Sequence, residues 1–306
     1  MSSAPSSPSP PPISLEQETA LGLLARLQEA PVARRSLSMP GLHHTIRPKD
    51  LIEIAGPENS GKSYWLYSAC VCCLAPSEFN GLGSGVVFID ADAKFSPFRL
   101  VNMLEAFLCE QQKQQSTEDD LQPVVRDSLS RFWRIEVDSS ERLLHAWSRL
   151  DQLLLQHPNI FLVCLDSVSA FFWLNQDVST SSRSSSDSSF RLMRDSKVVS
   201  DGKEADRKLA ARVSLFLKEH QLAILASRLA LKWKRWTEDE KEEEKQKEDS
   251  ETYYWKNIMD MSWQNLVTRS VTIHRTFQAQ DGHGHLPVFQ CTNWPSGVVN
   301  LVTFSD

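Results

Sequence analysis

The residues Gly56-Pro57-Glu58-Asn59-Ser60-Gly61-Lys62-Ser63 follow the spacing G-x-x-x-x-G-K-[ST]. The chemistry of that pattern is the holding of phosphate. Its glycines let backbone N–H groups turn inward, and a helix starting at the lysine adds the positive end of its dipole. In that arrangement Lys62 reaches the β- and γ-phosphates of a nucleotide, and the Ser63 hydroxyl sits on Mg²⁺. The flanks agree: Leu51 to Ala55 reads as a short apolar strand and Gly61 to Leu74 as a helix. ATP and Mg²⁺ are therefore the expected cofactors.

Magnesium beside a phosphate needs a carboxylate. The apolar run Ile160 to Leu165 ends on Asp166, the Walker B arrangement, in which a buried strand expected next to the P-loop strand delivers the acid. Asp90 and Asp92 follow the apolar run Val86 to Ile89. They are candidates for orienting or deprotonating an attacking water, although a simple turn aspartate has the same signature. Lys232-Trp233-Lys234-Arg235-Trp236 interleaves bases with aromatics, which suits gripping phosphates and stacking on single-stranded bases. The same residues also suit the basic end of a charged, solvated helix. His43-His44 and His283-Gly284-His285 lack partners at metal-ligand spacing, and Ser167 lacks a nucleophile elbow.

Positioning these groups requires an alternating scaffold. Strands are predicted at Leu51–Ala55, Val86–Asp90, Phe132–Val137, Ile160–Asp166 and Leu222–Ala226, separated by helices at Gly61–Leu74, Phe98–Cys109, Arg142–Gln156 and Leu209–His220. Strands apolar on both faces at helix-length intervals specify an α/β fold with a buried, mostly parallel sheet and right-handed crossovers. Val267–His274 and Leu301–Phe304 are expected as later strands on one side of it. Of the six cysteines, Cys70, Cys72 and Cys73 fall within an apolar helical pattern, and buried, reduced thiols are expected. No apolar run approaches the roughly 18 residues that span a bilayer, so no membrane partner is expected.

The 306 residues divide by composition. Residues 1–12 form a Pro/Ser tail, expected disordered. Residues 13–48 hold a leucine-bearing helix, Ile13 to Ala30, and a linker. Residues 49–306 form the core, with mobile loops expected at 175–203 and 232–252. The formal net charge is −6, and Thr237 to Thr252 alone carries nine acidic residues against three lysines. The rest of the chain is neutral, which gives no support to a strong autonomous nucleic-acid surface.

Three motifs in order carry a family resemblance: Gly56 to Ser63, then Phe88-Ile89-Asp90-Ala91-Asp92 with Phe95, then Leu165-Asp166-Ser167-Val168-Ser169-Ala170-Phe171. The combination resembles the RecA-like recombinase superfamily, and within it the eukaryotic recombinase paralogues of homologous recombination. Leu-Leu-Ala-Arg-Leu at 23–27, the continuation to Phe172 and Trp173, and Trp263-Gln264-Asn265-Leu266-Val267 are similar to the same paralogues. The resemblance runs from Leu15 to Phe304, with gaps at the two loops.

It implies a RecA-like P-loop ATPase core, without the N-terminal helical DNA-binding domain of full-length recombinases. It also implies assembly with sister paralogues in a hetero-oligomeric nuclear complex. That complex would support homologous recombination repair of double-strand breaks and damaged replication forks by assisting recombinase filament assembly. DNA, single-stranded or branched, would be reached through the complex. The helix Ser14 to Ala30, set apart from the core by the linker Pro31 to Pro48, suits a partner contact, and the same pattern also suits a helix packed at the edge of the core.

The family's catalytic glutamate aligns with Asp92, whose carboxylate stands one methylene, about 1.5 Å, nearer the backbone. The family's γ-phosphate-sensing glutamine has no counterpart in Ser227-Arg228-Leu229. Binding is thus expected to outlast hydrolysis, with at most a weak DNA-dependent ATPase activity. The alternative is an ATP-driven strand-exchange ATPase acting directly on single-stranded DNA, against which the acidic loop counts. A small-molecule kinase would rest on the P-loop alone.

Overall fold

The computed structural model describes residues 36–39, 45–111, 118–172, 198–234, 253–256, 258–279, 285–294 and 299–303. The expected tail, the helix Ile13 to Ala30 and most of both loops lie outside them.

Strand β1 (Leu51–Gly56), β2 (Gly85–Asp90) and β4 (Ile160–Asp166) are buried along their whole length. β3 (Phe132–Glu136) is half exposed, as suits an edge, and β5 (Ala223–Leu229) is buried but for its last residue. With β8 (Arg269–Ala279) these strands form a parallel sheet in the order β8-β1-β5-β4-β2-β3. Two further strands, β9 (His285–Trp294) and β10 (Val299–Thr303), extend it antiparallel beyond β8. The pair β6 (Leu231–Lys234) and β7 (Tyr253–Lys256) forms a separate antiparallel ribbon.

Alternation along the strands divides the apolar residues between two layers. Ile52, Ile54, Val86, Phe88, Leu162, Cys164 and Leu225 face helices α1 (Lys62–Leu74), α2 (Pro97–Gln111) and α3 (Glu118–Leu129). Leu51, Val87, Ile89, Val163, Leu165 and Ile224 face α4 (Ser140–Gln156), α5 (Val198–Glu219) and the short α6 (Met261–Gln264). Each fully buried Leu, Ile, Val or Phe contributes about 1.5–3 kcal/mol. Two such layers are the reason these strands read as continuous apolar runs. α4 shows how the helices dock: Leu143, Ala146, Trp147, Leu150 and Leu154 are buried at helical spacing, and Ser139 caps its start by accepting from Arg142 N. The segment expected as a linker also feeds the core, through Leu37, Met39 and Ile46, with Leu37 and Ile46 joined in an antiparallel bridge.

Several expectations need correction. The Walker B strand is not adjacent to the P-loop strand, because β5 is hydrogen-bonded between β1 and β4. β5 runs on to Leu229 rather than stopping at Ala226, since Ser227, Arg228 and Leu229 complete the ladder against Ile54, Ala55 and Gly56. α5 begins at Val198, so the end of the loop expected at 175–203 is helical. Lys232 to Lys234 form a strand paired with Tyr253–Tyr254–Trp255, not the end of a solvated helix. Neither α3 nor β9 was expected, because Pro123 and Pro287 disguise them. α3 nevertheless buries Leu121 and Val125 on one face. Cys70, Cys72, Cys73 and Cys164 are buried thiols outside any disulfide, as expected, whereas Cys109 is exposed. Among the described residues, no helix is long and apolar enough to cross a membrane.

Candidate nucleotide site

At the carboxyl end of β1 the chain turns into α1 through Gly56 to Gly61. A Cβ at Gly56 would stand 2.4 Å from Ser60 Oγ and 2.6 Å from the Ile273 carbonyl oxygen, so only glycine fits there. Asn59 (φ 57°) and Gly61 (φ 90°) are both left-handed. Such alternation turns consecutive N–H groups toward one side and forms an anion-binding nest. α1 begins on Gly61 with no side-chain cap, which leaves its first-turn amides for another acceptor. Ser60 Oγ is buried without a hydrogen-bond partner. A nucleotide's phosphates would meet all of these demands.

Lys62 Nζ donates to the carbonyl oxygens of Gly56 (3.1 Å) and Pro57 (2.6 Å), lying back along the loop it would serve. Burial pushes its pKa down, and the charges of Asp166 and Asp92 push it back up. Asp166 ends β4 and Asp92 follows β2, both at the edge of the sheet where β1 turns into the helix that carries Lys62. The arrangement follows from the sheet, because β1, β4 and β2 all end on this side, where open α/β sheets bind ligands.

Asp166, at the end of β4, is buried, and its Oδ1 accepts the Ser227 hydroxyl of β5. The interposed strand thus braces the Walker B acid. The turn beyond it is tied down as well: Val168 N donates to Ser227 O (2.9 Å) and Leu229 N to Ser169 Oγ (2.9 Å).

The two candidates after β2 separate clearly. Asp90 is buried and committed to structure, accepting from Arg134 Nη2 (2.7 Å), Lys94 N (3.2 Å) and Phe95 N (3.2 Å). It is not available to a water. Asp92 is half-buried, its backbone N donates to Asp166 O (3.2 Å), and Lys94 Nζ lies 3.7 Å from its carboxylate. Burial raises the Asp92 pKa, and Asp166 raises it further, against Lys94 and Lys62. Of the two acids, Asp92 is the one tied through its own backbone to Asp166 and not committed to Arg134.

Sequence reasoning missed the role of Glu53. Glu53, in the middle of β1, accepts from Trp263 Nε1 (3.0 Å) and pairs with Arg228 Nε (2.9 Å), all three side chains being buried. The one signal for it was a charged residue inside an otherwise apolar strand. Lys232 to Lys234 begin just after β5, where Ala230 N donates to Gly56 O (2.9 Å). The ribbon register sets Lys232 opposite Trp255 and Trp233 opposite Tyr254. Arg235 and Trp236 lie outside the described residues.

Residues 14–188, more than half of the chain, match the family described as AAA domain. The chain belongs to the AAA-domain family. Membership implies nucleotide binding and agrees with the P-loop geometry above. Among its relatives, DNA repair protein XRCC2 of Mus musculus is 35% identical over 127 residues, 42% of this chain and 42% of that protein. The Arabidopsis thaliana homolog of XRCC2 is 24% identical over 86% of this chain and 78% of its own length. DNA repair and recombination protein RadA of Cenarchaeum symbiosum (strain A) is 36% identical over 61 residues, 20% of this AAA-domain chain and 15% of RadA. The match thus spans less than half of the mouse relative. The resemblance to RecA-like recombinase paralogues is borne out by these relatives, and the RecA-like α/β class by the parallel sheet.

Proposed function

We propose that the chain is a nucleotide-binding subunit of a recombinase-paralogue assembly in homologous recombination repair. Its relatives bear DNA-repair and recombination names. In this reading the backbone N–H groups of Gly56, Glu58, Asn59, Ser60 and Gly61 cradle the phosphates of ATP, and Pro57, which has no N–H, shapes the turn. The Lys62 ammonium leaves the loop carbonyls for the β- and γ-phosphates, and the Ser63 hydroxyl and the Asp166 carboxylate hold Mg²⁺. The bound metal would neutralise charge between the two terminal phosphates.

The observation that carries the proposal is the pairing of Ser227 with Asp166, in the strand end where the family's glutamine is absent. A short hydroxyl committed to the Walker B acid does not extend to a γ-phosphate. Asp92 is the remaining group that can orient water. It is a methylene short of glutamate, and a misplacement of about 1 Å can slow a positioned reaction roughly a hundredfold. Such a site binds ATP and turns it over slowly, which suits a subunit whose surface is read by neighbours.

The partners of the proposal are sister paralogues in a nuclear complex that assists filament assembly at broken DNA and damaged forks. DNA, single-stranded or branched, is reached through that complex, with Lys232, Trp233, Lys234, Arg235 and Trp236 as this chain's own contact segment. The test is co-purification of the chain with sister paralogues, repeated with Lys62→Ala and with and without ATP. Nucleotide-dependent capture, weakened by the substitution, is the expected result. Rapid steady-state turnover by the isolated chain, abolished by Asp92→Asn, would overturn the proposal.

A further inference from the structure

The turn between β2 and α2 is held more firmly than a connector requires. On one side, Ala91 N and Asp92 N both donate to Asp166 O, at 2.6 and 3.2 Å. On the other, Lys94 N and Phe95 N donate to the buried Asp90 carboxylate, which Arg134 also grips. Ser96 N then donates to Tyr67 Oη at 2.6 Å, and the Phe95 ring stacks on Tyr67 and Phe132 with centroids at 5.4 and 5.3 Å. Between these anchors Ala93 is left-handed (φ 53°). A residue with a Cβ adopts that conformation only where its surroundings impose it.

The consequence of the turn is that Lys94 doubles back. Its Nζ lies 3.7 Å from Asp92 Oδ2, beyond hydrogen-bond length, with 73% of its side chain exposed. The ammonium is therefore loosely held, beside a carboxylate whose own backbone N is tied to Asp166 at the end of β4. Its charge also bears on Lys62. The site then holds two carboxylates and a second cation that is not committed to a hydrogen bond.

We propose that Lys94 is a terminal-phosphate contact: it leaves Asp92 for the γ-phosphate of a bound nucleoside triphosphate and so makes the site distinguish triphosphate from diphosphate. This rests on the reading of Gly56 to Ser63 as a nucleotide site. The flexible four-carbon stem supplies the movement, and the pinned turn supplies the origin. A diphosphate offers the ammonium no group at that end of the site, so Lys94 stays on Asp92. Transfer to the γ-phosphate also removes the cation from Asp92 only when the third phosphate is present.

The test is titration of the purified full chain with fluorescent N-methylanthraniloyl derivatives of ATP and ADP in Mg²⁺, comparing wild type, Lys94→Ala and Lys94→Arg. Lys94→Ala is expected to weaken the ATP derivative about five- to tenfold at low salt, the scale of one charge-assisted contact in a half-open site. The ADP derivative should bind unchanged, which also reports that the variant is folded. Lys94→Arg should retain most of the preference for triphosphate. Equal loss of both nucleotides, or loss of neither, overturns the role of Lys94 while leaving the nucleotide site standing. Failure of the wild type to bind either derivative overturns the underlying site instead.

Discussion

Glu53 stands three residues before the P-loop begins and pairs with Arg228 of β5, and breaking this buried pair tests whether the site rests on an electrostatic support. The side chains are 3% and 8% exposed, and Arg228 Nε stands 2.9 Å from Glu53 Oε1. Arg228→Met keeps the apolar stem but leaves the Glu53 carboxylate with Trp263 Nε1 as its hydrogen-bond donor, at 3.0 Å. Removing one partner of a buried ion pair costs about 3–5 kcal/mol, because the remaining charge stays out of water. For a domain of this size, at roughly 2–4 °C per kcal/mol, Tm should fall by about 6–20 °C. Adding Glu53→Gln removes the stranded charge and keeps an acceptor for Trp263, so the double variant should recover most of that loss. Thermal melts with urea titrations at constant m-value would measure both effects. If Arg228→Met stays within about 1 kcal/mol of wild type, or if Glu53→Gln brings no recovery, the pair does not support β1 in this way.

Two other outcomes follow from the site and its flank. Asp92→Glu restores the missing methylene, and steady-state ATP turnover should rise by about tenfold or more. An unchanged rate would place the limit at Ser227 rather than at the carboxylate. Burial pushes the Asp206 carboxyl up to about 6 from 3.8, despite the hydrogen bond that it accepts from Asp260 N at 3.1 Å. Between those values the folded chain keeps a proton that the unfolded chain has released, so this group's contribution to stability falls as pH rises from about 4 to 6. Asp206→Asn should therefore gain stability relative to wild type across that window, on the order of 1 kcal/mol after allowing for solvent access. Melting profiles that stay parallel at pH 4.5 and 7.5 would refute that assignment.

Much of the site was legible because its parts are local. A P-loop is a contiguous run whose glycines and lysine act through neighbouring backbone: a Cβ at Gly56 would clash with Ser60 and Ile273, and Gly61 is left-handed. β1, β2 and β4 were legible for a related reason: strands buried on both faces must be apolar throughout. Asp90 and Asp92 were not separable in the same way. Both are acids after the same strand, and Arg134, on β3, decides which of them is committed to structure.

The sequence by itself determined the glycine-rich loop Gly56 to Ser63, the acid at the end of an apolar strand, and the alternation of strands and helices. Each depends on residues adjacent in the chain or on hydrophobic period. Only the tertiary structure decided that β5 enters between β1 and β4, which sets Ser227 on Asp166 and Arg228 on Glu53. Those contacts join residues far apart in sequence. Strand order is a choice among crossover topologies that hydrophobic pattern leaves equivalent. The same ordering continues β5 into β6, whose first residues are Leu231 and Lys232, so the candidate DNA segment stands next in the chain to the P-loop's neighbouring strand.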